Sequence, residues 1–146
     1  MKRLFIAIFT TIAFFAAAAP ASARPPTIAI ISTGELDPAL AARVAAARGP
    51  VVLTFYDRKD TGSECVQQPA VEQDVARRFS GKVTLLQADV ADQDQEMIER
   101  ARIAVCPTHL FVLERHGDTL VTKRIWGYLS EADFQEVLHE FYGVQP

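Results

Sequence analysis

Val105-Cys106-Pro107-Thr108-His109-Leu110-Phe111-Val112-Leu113 is the stretch whose reading decides the fold of this chain. An apolar run begins immediately after an X-Pro-Thr step. The first residue of a strand is one of the few strand positions that proline tolerates. X-Pro is also the one common cis peptide, and folded proteins keep it where the chain geometry calls for it. The expectation is a cis-Pro loop leading into a strand at Thr108. Cys106, one of only two cysteines in the chain, stands directly before that proline. The other, Cys65, lies near the start of a helix expected downstream of a second apolar strand.

Working outward, Val51–Tyr56 is a short, nearly continuous run of β-forming residues, as in a central strand covered on both faces. Thr27–Ser32 reads as a further strand. Asp37-Pro38 reads as an N-cap with proline at the first helical position, opening a helix that carries Leu40 and Val44 and stops at Gly49-Pro50. After a charged loop from Asp57 to Gly62, Ser63 is expected to cap a helix from Glu64 to about Ser80. Its buried stripe is read as Val71, Val75 and Phe79, and Pro69 should bend it. Val83–Val90 reads as a strand, and Asp92 opens a helix through Met97, Ile98 and Ala101. Two strands, 108–114 and 119–126, flank a four-residue hairpin turn. Ser130 to Asp133 forms a capping box for a last helix with Phe134, Val137, Leu138 and Phe141 on one face. The order β-α-β-α-β-α-β-β-α implies parallel strands in its alternating first part, helices on both faces, and a closing antiparallel hairpin.

The N-terminus has Lys2 and Arg3, an uncharged run from Leu4 to Ala19, and Ala21-Ser22-Ala23. That is the layout of a cleaved secretory signal over 1–23, since the apolar run falls short of the ~20 residues a spanning helix needs. The remaining 24–146 has the length of one domain. The whole chain carries 15 basic and 18 acidic residues. Without Lys2 and Arg3 this becomes 13 against 18, a net charge of −5, with no basic cluster. Nucleic acid is therefore not an expected partner. Nor is a membrane once the signal is removed. Export implies an oxidising compartment where two cysteines can pair. The periplasm is expected, with secretion as the alternative, and the protein is expected to be a monomer.

The strand order, Val51–Tyr56 before a loop, Cys65 on the next helix, Cys106-Pro107-Thr108 and the step Gly127-Tyr128-Leu129-Ser130 together resemble the thioredoxin-like superfamily over about residues 27–142. The Gly-Tyr-Leu step is similar to small exported thioredoxin-like proteins of bacteria, including the soluble domain of transmembrane thiol:disulfide interchange proteins. The resemblance implies a three-layer α/β/α sandwich around a mixed central sheet. It also implies thiol–disulfide exchange with a protein thiol or disulfide partner, or an extended peptide segment, and no cofactor. The family's Trp-Cys-x-x-Cys signature is degenerate here. In a gap-free register Thr61-Gly62-Ser63-Glu64-Cys65 puts Gly62 where the attacking cysteine would be and Cys65 where the resolving one would be. Thr54 replaces the family's buried aspartate. A second register would make Cys65 the attacking residue and Gln68 the lost partner.

The resemblance places the loop before Pro107 against the start of the cysteine-bearing helix, and so brings Cys65 and Cys106 together as candidate catalytic sulfurs. Gly62, Ser63, Glu64, Pro107 and Thr108 become the candidate substrate-binding residues. The pair could be a redox couple built across the site, or a staple. Two free thiols, pairing between molecules, or a soft metal site of Cys65, Cys106 and His109 stay open. Against the metal, no Cys or His spacing in the chain supports a centre, and His109 on an apolar strand reads first as a core histidine. His116, His139, Trp126 and the acidic run from Asp89 to Glu99 read as surface or packing. The two functions expected are thiol–disulfide exchange through Cys65 and Cys106 and, as the alternative, a redox-inactive binding module that holds a partner beside Pro107.

Overall fold

The structure is a computed structural model, and it describes residues 26–146. The signal-peptide reading of 1–23 lies outside the described residues. The elements are β1 (Thr27–Ser32), α1 (Pro38–Ala46), β2 (Val51–Tyr56), α2 (Ser63–Arg78), β3 (Thr84–Asp89), α3 (Gln95–Arg100), β4 (Thr108–His116), β5 (Thr119–Trp126) and α4 (Glu131–Tyr142), with 3-10 turns at Thr33–Glu35 and Val90–Asp92.

The five strands form one mixed sheet in the order β1-β5-β4-β2-β3. Only β2 and β3 run parallel; β2–β4, β4–β5 and β1–β5 are antiparallel. This corrects the expectation of parallel strands through the alternating first part. β1 does not join β2 across α1 but pairs along the far edge with β5, Ile30 opposite Val121. Alternation in sequence predicts a crossover, but β1 finds its partner through contacts some ninety residues away.

Period-two geometry divides the core. Val51, Leu53 and Phe55 of β2, with Leu110 and Val112 of β4, face α1 and α3 through Leu40, Val44, Met97 and Ile98. Val52 and Phe111 point the other way, onto α2 and α4 through Val75, Phe79, Phe134 and Leu138. The sheet is thus covered on both sides, the three-layer arrangement expected.

Local chemistry sets the boundaries. Asp37 Oδ1 accepts from the backbone N–H of Ala39 and Leu40, with Pro38 at the first helical position, as expected. Ser130 Oγ accepts from Asp133 N and donates to the Asp133 carboxylate. Three expectations are corrected. α2 begins at Ser63 with Gly62 as its cap residue and no side-chain cap, so Ser63 does not cap it. Asp94, rather than Asp92, caps α3 by accepting from Met97 N. The hairpin turn has two residues, Gly117 and Asp118, because β4 continues through His116. Gly117 takes φ 64°, the left-handed conformation such a tight turn requires. Among the described residues, no helix is long and apolar enough to cross a membrane.

Candidate functional site

α2 emerges from the C-terminal end of β2 after the loop at residues 57–62, and β4 starts beside it. Gly62 caps the helix, so Cys65 is its third residue, past the cap in the first turn and 5 % exposed. That is the placement of the gap-free register. Cys106, next to the cis peptide Cys106–Pro107, is half-buried. The two are joined by a disulfide with Cα atoms 5.3 Å apart, inside the range a disulfide spans.

The two sulfurs have different surroundings. Cys106 Sγ accepts from the backbone N–H of Asp57 at 3.4 Å. Cys65 Sγ lies 3.8 Å from the Asp57 carbonyl oxygen. A thiolate at Cys106 would therefore face a donor, and a thiol at Cys65 would face an acceptor. Gly62, Ser63 and Glu64 are exposed at the start of α2, while Pro107 and Thr108 are buried. Thr108 Oγ1 donates to the Val105 carbonyl at 2.5 Å and holds the loop; its side chain is not on the surface. The Gly127 N–H donates to the Pro107 carbonyl at 2.9 Å, so that carbonyl is engaged within the chain.

His109 does not join the sulfurs. It is wholly buried on the α2 side of the sheet, where Nε2 meets the Gly127 carbonyl at 3.1 Å and Nδ1 meets Thr54 Oγ1 at 2.9 Å. Burial pushes its pKa down to about 3, against a smaller upward effect of the Gly127 hydrogen bond. The ring is thus neutral, with Nε2–H donating to Gly127 and Nδ1 accepting from the Thr54 hydroxyl. The soft site of Cys65, Cys106 and His109 is therefore not assembled; Asp60 is the group that lies with the two sulfurs.

Two polar residues that local pattern assigns to solvent, Gln68 and Glu72, are buried on α2. Its buried face is Cys65, Gln68, Glu72 and Val75, with Phe79 following, and Val71 is only half-buried. Gln68 Nε2 donates to the Leu129 carbonyl (3.1 Å) and its Oε1 accepts from Leu129 N (2.8 Å), which fixes the Gly127–Ser130 segment against the helix. Glu72, 2 % exposed, accepts from Gln87 Nε2 at 3.1 Å and lies 3.6 Å from His109 Nδ1. Burial raises its pKa, partly offset by the Thr54 and Tyr56 hydroxyls and Gln87. With the acid pushed up and the imidazole pushed down, both shifts disfavour the charged forms that an ion pair between Glu72 and His109 would need. The only signal for these residues was their i, i+3, i+7 spacing from Cys65.

No family model matches the chain, and no curated protein matches it. Solved structures do. Chloroplastic thioredoxin z superposes with a TM-score of 0.56 at 20 % identity, over 70 % of this chain and 87 % of the other. The germline-specific thioredoxin Deadhead of Drosophila melanogaster gives 0.51 at 21 %, over 73 % and 96 %. Thioredoxin-2, described as a component of the malaria parasite protein secretion machinery, gives 0.51 at 17 %, over 63 % and 82 %. At these identities the likeness establishes the architecture: this chain has the thioredoxin fold, with its two cysteines bonded between the start of α2 and the loop before β4.

Proposed function

We propose that this is an exported protein, working in the periplasm or alternatively secreted, that exchanges disulfides with protein partners through Cys65 and Cys106. The observation that carries the reading is the bond between the helix start and the loop before β4, with one sulfur more open than the other. Cys106 is the sulfur a partner reaches. A partner thiolate attacks Cys106 Sγ, the Cys65–Cys106 bond breaks, and Cys65 leaves as a thiolate in the first turn of α2, where the helix N-terminus favours negative charge. The partner's second thiol, as its thiolate, then attacks its own sulfur in the mixed disulfide, and Cys106 is released. Two electrons pass to this protein and the partner gains a disulfide. In reverse, Cys106 attacks, with its thiolate supported by the Asp57 N–H, and Cys65 resolves. Each step has one sulfur forming a bond as another leaves, so the exchange needs no cofactor.

The test is turnover with a dithiol reductant and a disulfide protein such as insulin. Cysteine-dependent acceleration is expected, lost in both Cys65→Ser and Cys106→Ser. Cys65→Ser should trap a mixed disulfide at Cys106. Cys106→Ser should trap none, because the remaining sulfur is 5 % exposed. Full activity in both single variants would sink the reading.

The burial of Cys65 also favours a second reading, in which the bond is a staple and the surface beside it holds a partner peptide without turnover. The exposed side chains of Val66, Val105 and Tyr128 are then the apolar contacts available to it. No acceleration of insulin reduction over background would favour this second reading.

A further inference from the structure

We infer that the reduced protein binds one zinc ion between Cys65, Cys106 and Asp60. One ligand atom from each of the three lies within 4.8 Å of the other two. Around a tetrahedral zinc ion with bonds of about 2.0–2.3 Å, ligand atoms stand about 3.3–3.8 Å apart. The bonded sulfurs need only separate to that distance, and a Cα–Cα spacing of 5.3 Å allows it by side-chain rotation. Two thiolates and one carboxylate form a donor set suited to zinc, being too soft for magnesium or calcium and harder than the all-sulfur sites that copper(I) favours. Water supplies the fourth ligand. A cleft of about 100 Å³ beside Asp60 and Cys106, lined also by Asp57, Phe55 and Ile103, has room for it.

A second observation concerns Gly62. Its φ of −57° is one that any residue adopts, so the backbone does not demand glycine there. What it leaves free is the space of Asp60. Asp60 Oδ1 accepts from the Gly62 N–H at 2.8 Å, and a Cβ at position 62 would fall 2.9 Å from that same oxygen. The missing side chain lets the Asp60 carboxylate sit against the helix start, next to the sulfurs. Asp60 is exposed, so an ion can reach it from solvent.

The site exists only after reduction. A phosphine reductant takes an oxygen from water and becomes a phosphine oxide; its two electrons enter the S–S bond and give two thiols. Zinc then displaces two protons, and oxidation of the thiolates by a disulfide would release the ion. The inference uses the same sulfurs as the exchange reaction but needs only their chemical reduction, so each can fail without the other.

The test is equilibrium dialysis of phosphine-reduced protein, residues 24–146, against Zn²⁺, with thiols counted on the same sample and Co²⁺ as a spectroscopic probe. One zinc per reduced chain is expected, none per oxidised chain, with a thiolate-to-cobalt charge-transfer band. Asp60→Asn should weaken binding at least about tenfold. Cys106→Ser should abolish it, and Glu96→Gln, which removes an exposed carboxylate of α3 and no ligand, should leave it unchanged. A reduced chain with two counted thiols and no bound zinc overturns the inference, as does wild-type affinity in Asp60→Asn. Insulin reduction by the same preparation reports separately on exchange.

Discussion

Glu72 reaches the interior from the middle of α2, and at 2 % exposure a negative charge there is costly without a cation beside it. What surrounds it is neutral: Gln87 at 3.1 Å, the hydroxyls of Thr54 and Tyr56, and the uncharged ring of His109. Its pKa is raised by burial, so the folded state holds its proton more tightly than the unfolded chain does. The sign follows by linkage. Stability is fully present below the ordinary glutamate value of 4.5 and is lost as pH rises through the folded value. His109 has the opposite sign. With its pKa pushed from 6.5 to about 3, it contributes stability above 6.5 that is lost as pH falls toward 3. Glu72→Gln keeps the shape and the bond from Gln87 but removes the titration. The stability of Glu72→Gln relative to the wild type should therefore grow as pH rises from 4.5, and urea unfolding of the two oxidised proteins across that range checks it. A difference that stays flat with pH would mean Glu72 does not titrate between the folded and unfolded states.

At the scale of the element, α2 carries both the sulfur and the contact that positions the far side of the site. Gln68 is wholly buried, and its amide satisfies both the N–H and the carbonyl of Leu129, just before α4. Gln68→Leu keeps the bulk and orphans both backbone groups. At about 1–3 kcal/mol for each unsatisfied buried group, a loss of about 2–6 kcal/mol is expected in urea unfolding, with faster amide exchange across 127–130. The same helix shows where sequence reading stops. β2 and β4 were legible because each is a compact apolar run, and α4 because Ser130 and Asp133 cap a periodic face. On α2 the buried face contains Gln68 and Glu72, which local pattern assigns to solvent, so hydrophobic periodicity points to Val71 instead. Only the partners on Leu129, Gln87 and His109, all distant in sequence, turn that face inward. β1 was legible as a strand but not in its direction, for the same reason. The meeting of Cys65 and Cys106 came from the family resemblance. Asp60 read as one charge among four in its loop, because nothing local marks that Gly62 is bare to make room for it.

Across the whole molecule, the bond links positions 41 residues apart and so closes the loop that contains α2, β3 and α3. Loop-closure entropy alone makes such a link worth about 4 kcal/mol to the folded state. Folding and reduction are coupled: whatever the bond adds to stability lowers the reduction potential of the folded pair relative to the same cysteines in the unfolded chain. For two electrons, about 4 kcal/mol corresponds to about 85 mV. A staple keeps the full amount. A couple that exchanges with partners must instead have a reduced fold nearly as stable as the oxidised one, held by the two core clusters on either side of the sheet. The exchange reading therefore predicts that urea unfolding of the oxidised and reduced proteins will differ by less than about 2 kcal/mol, half the entropic value. It also predicts a potential above about −300 mV in a dithiol redox titration. A gap of the full 4 kcal/mol together with a potential well below that value would identify the Cys65–Cys106 bond as a staple and leave the surface beside it as a binding site.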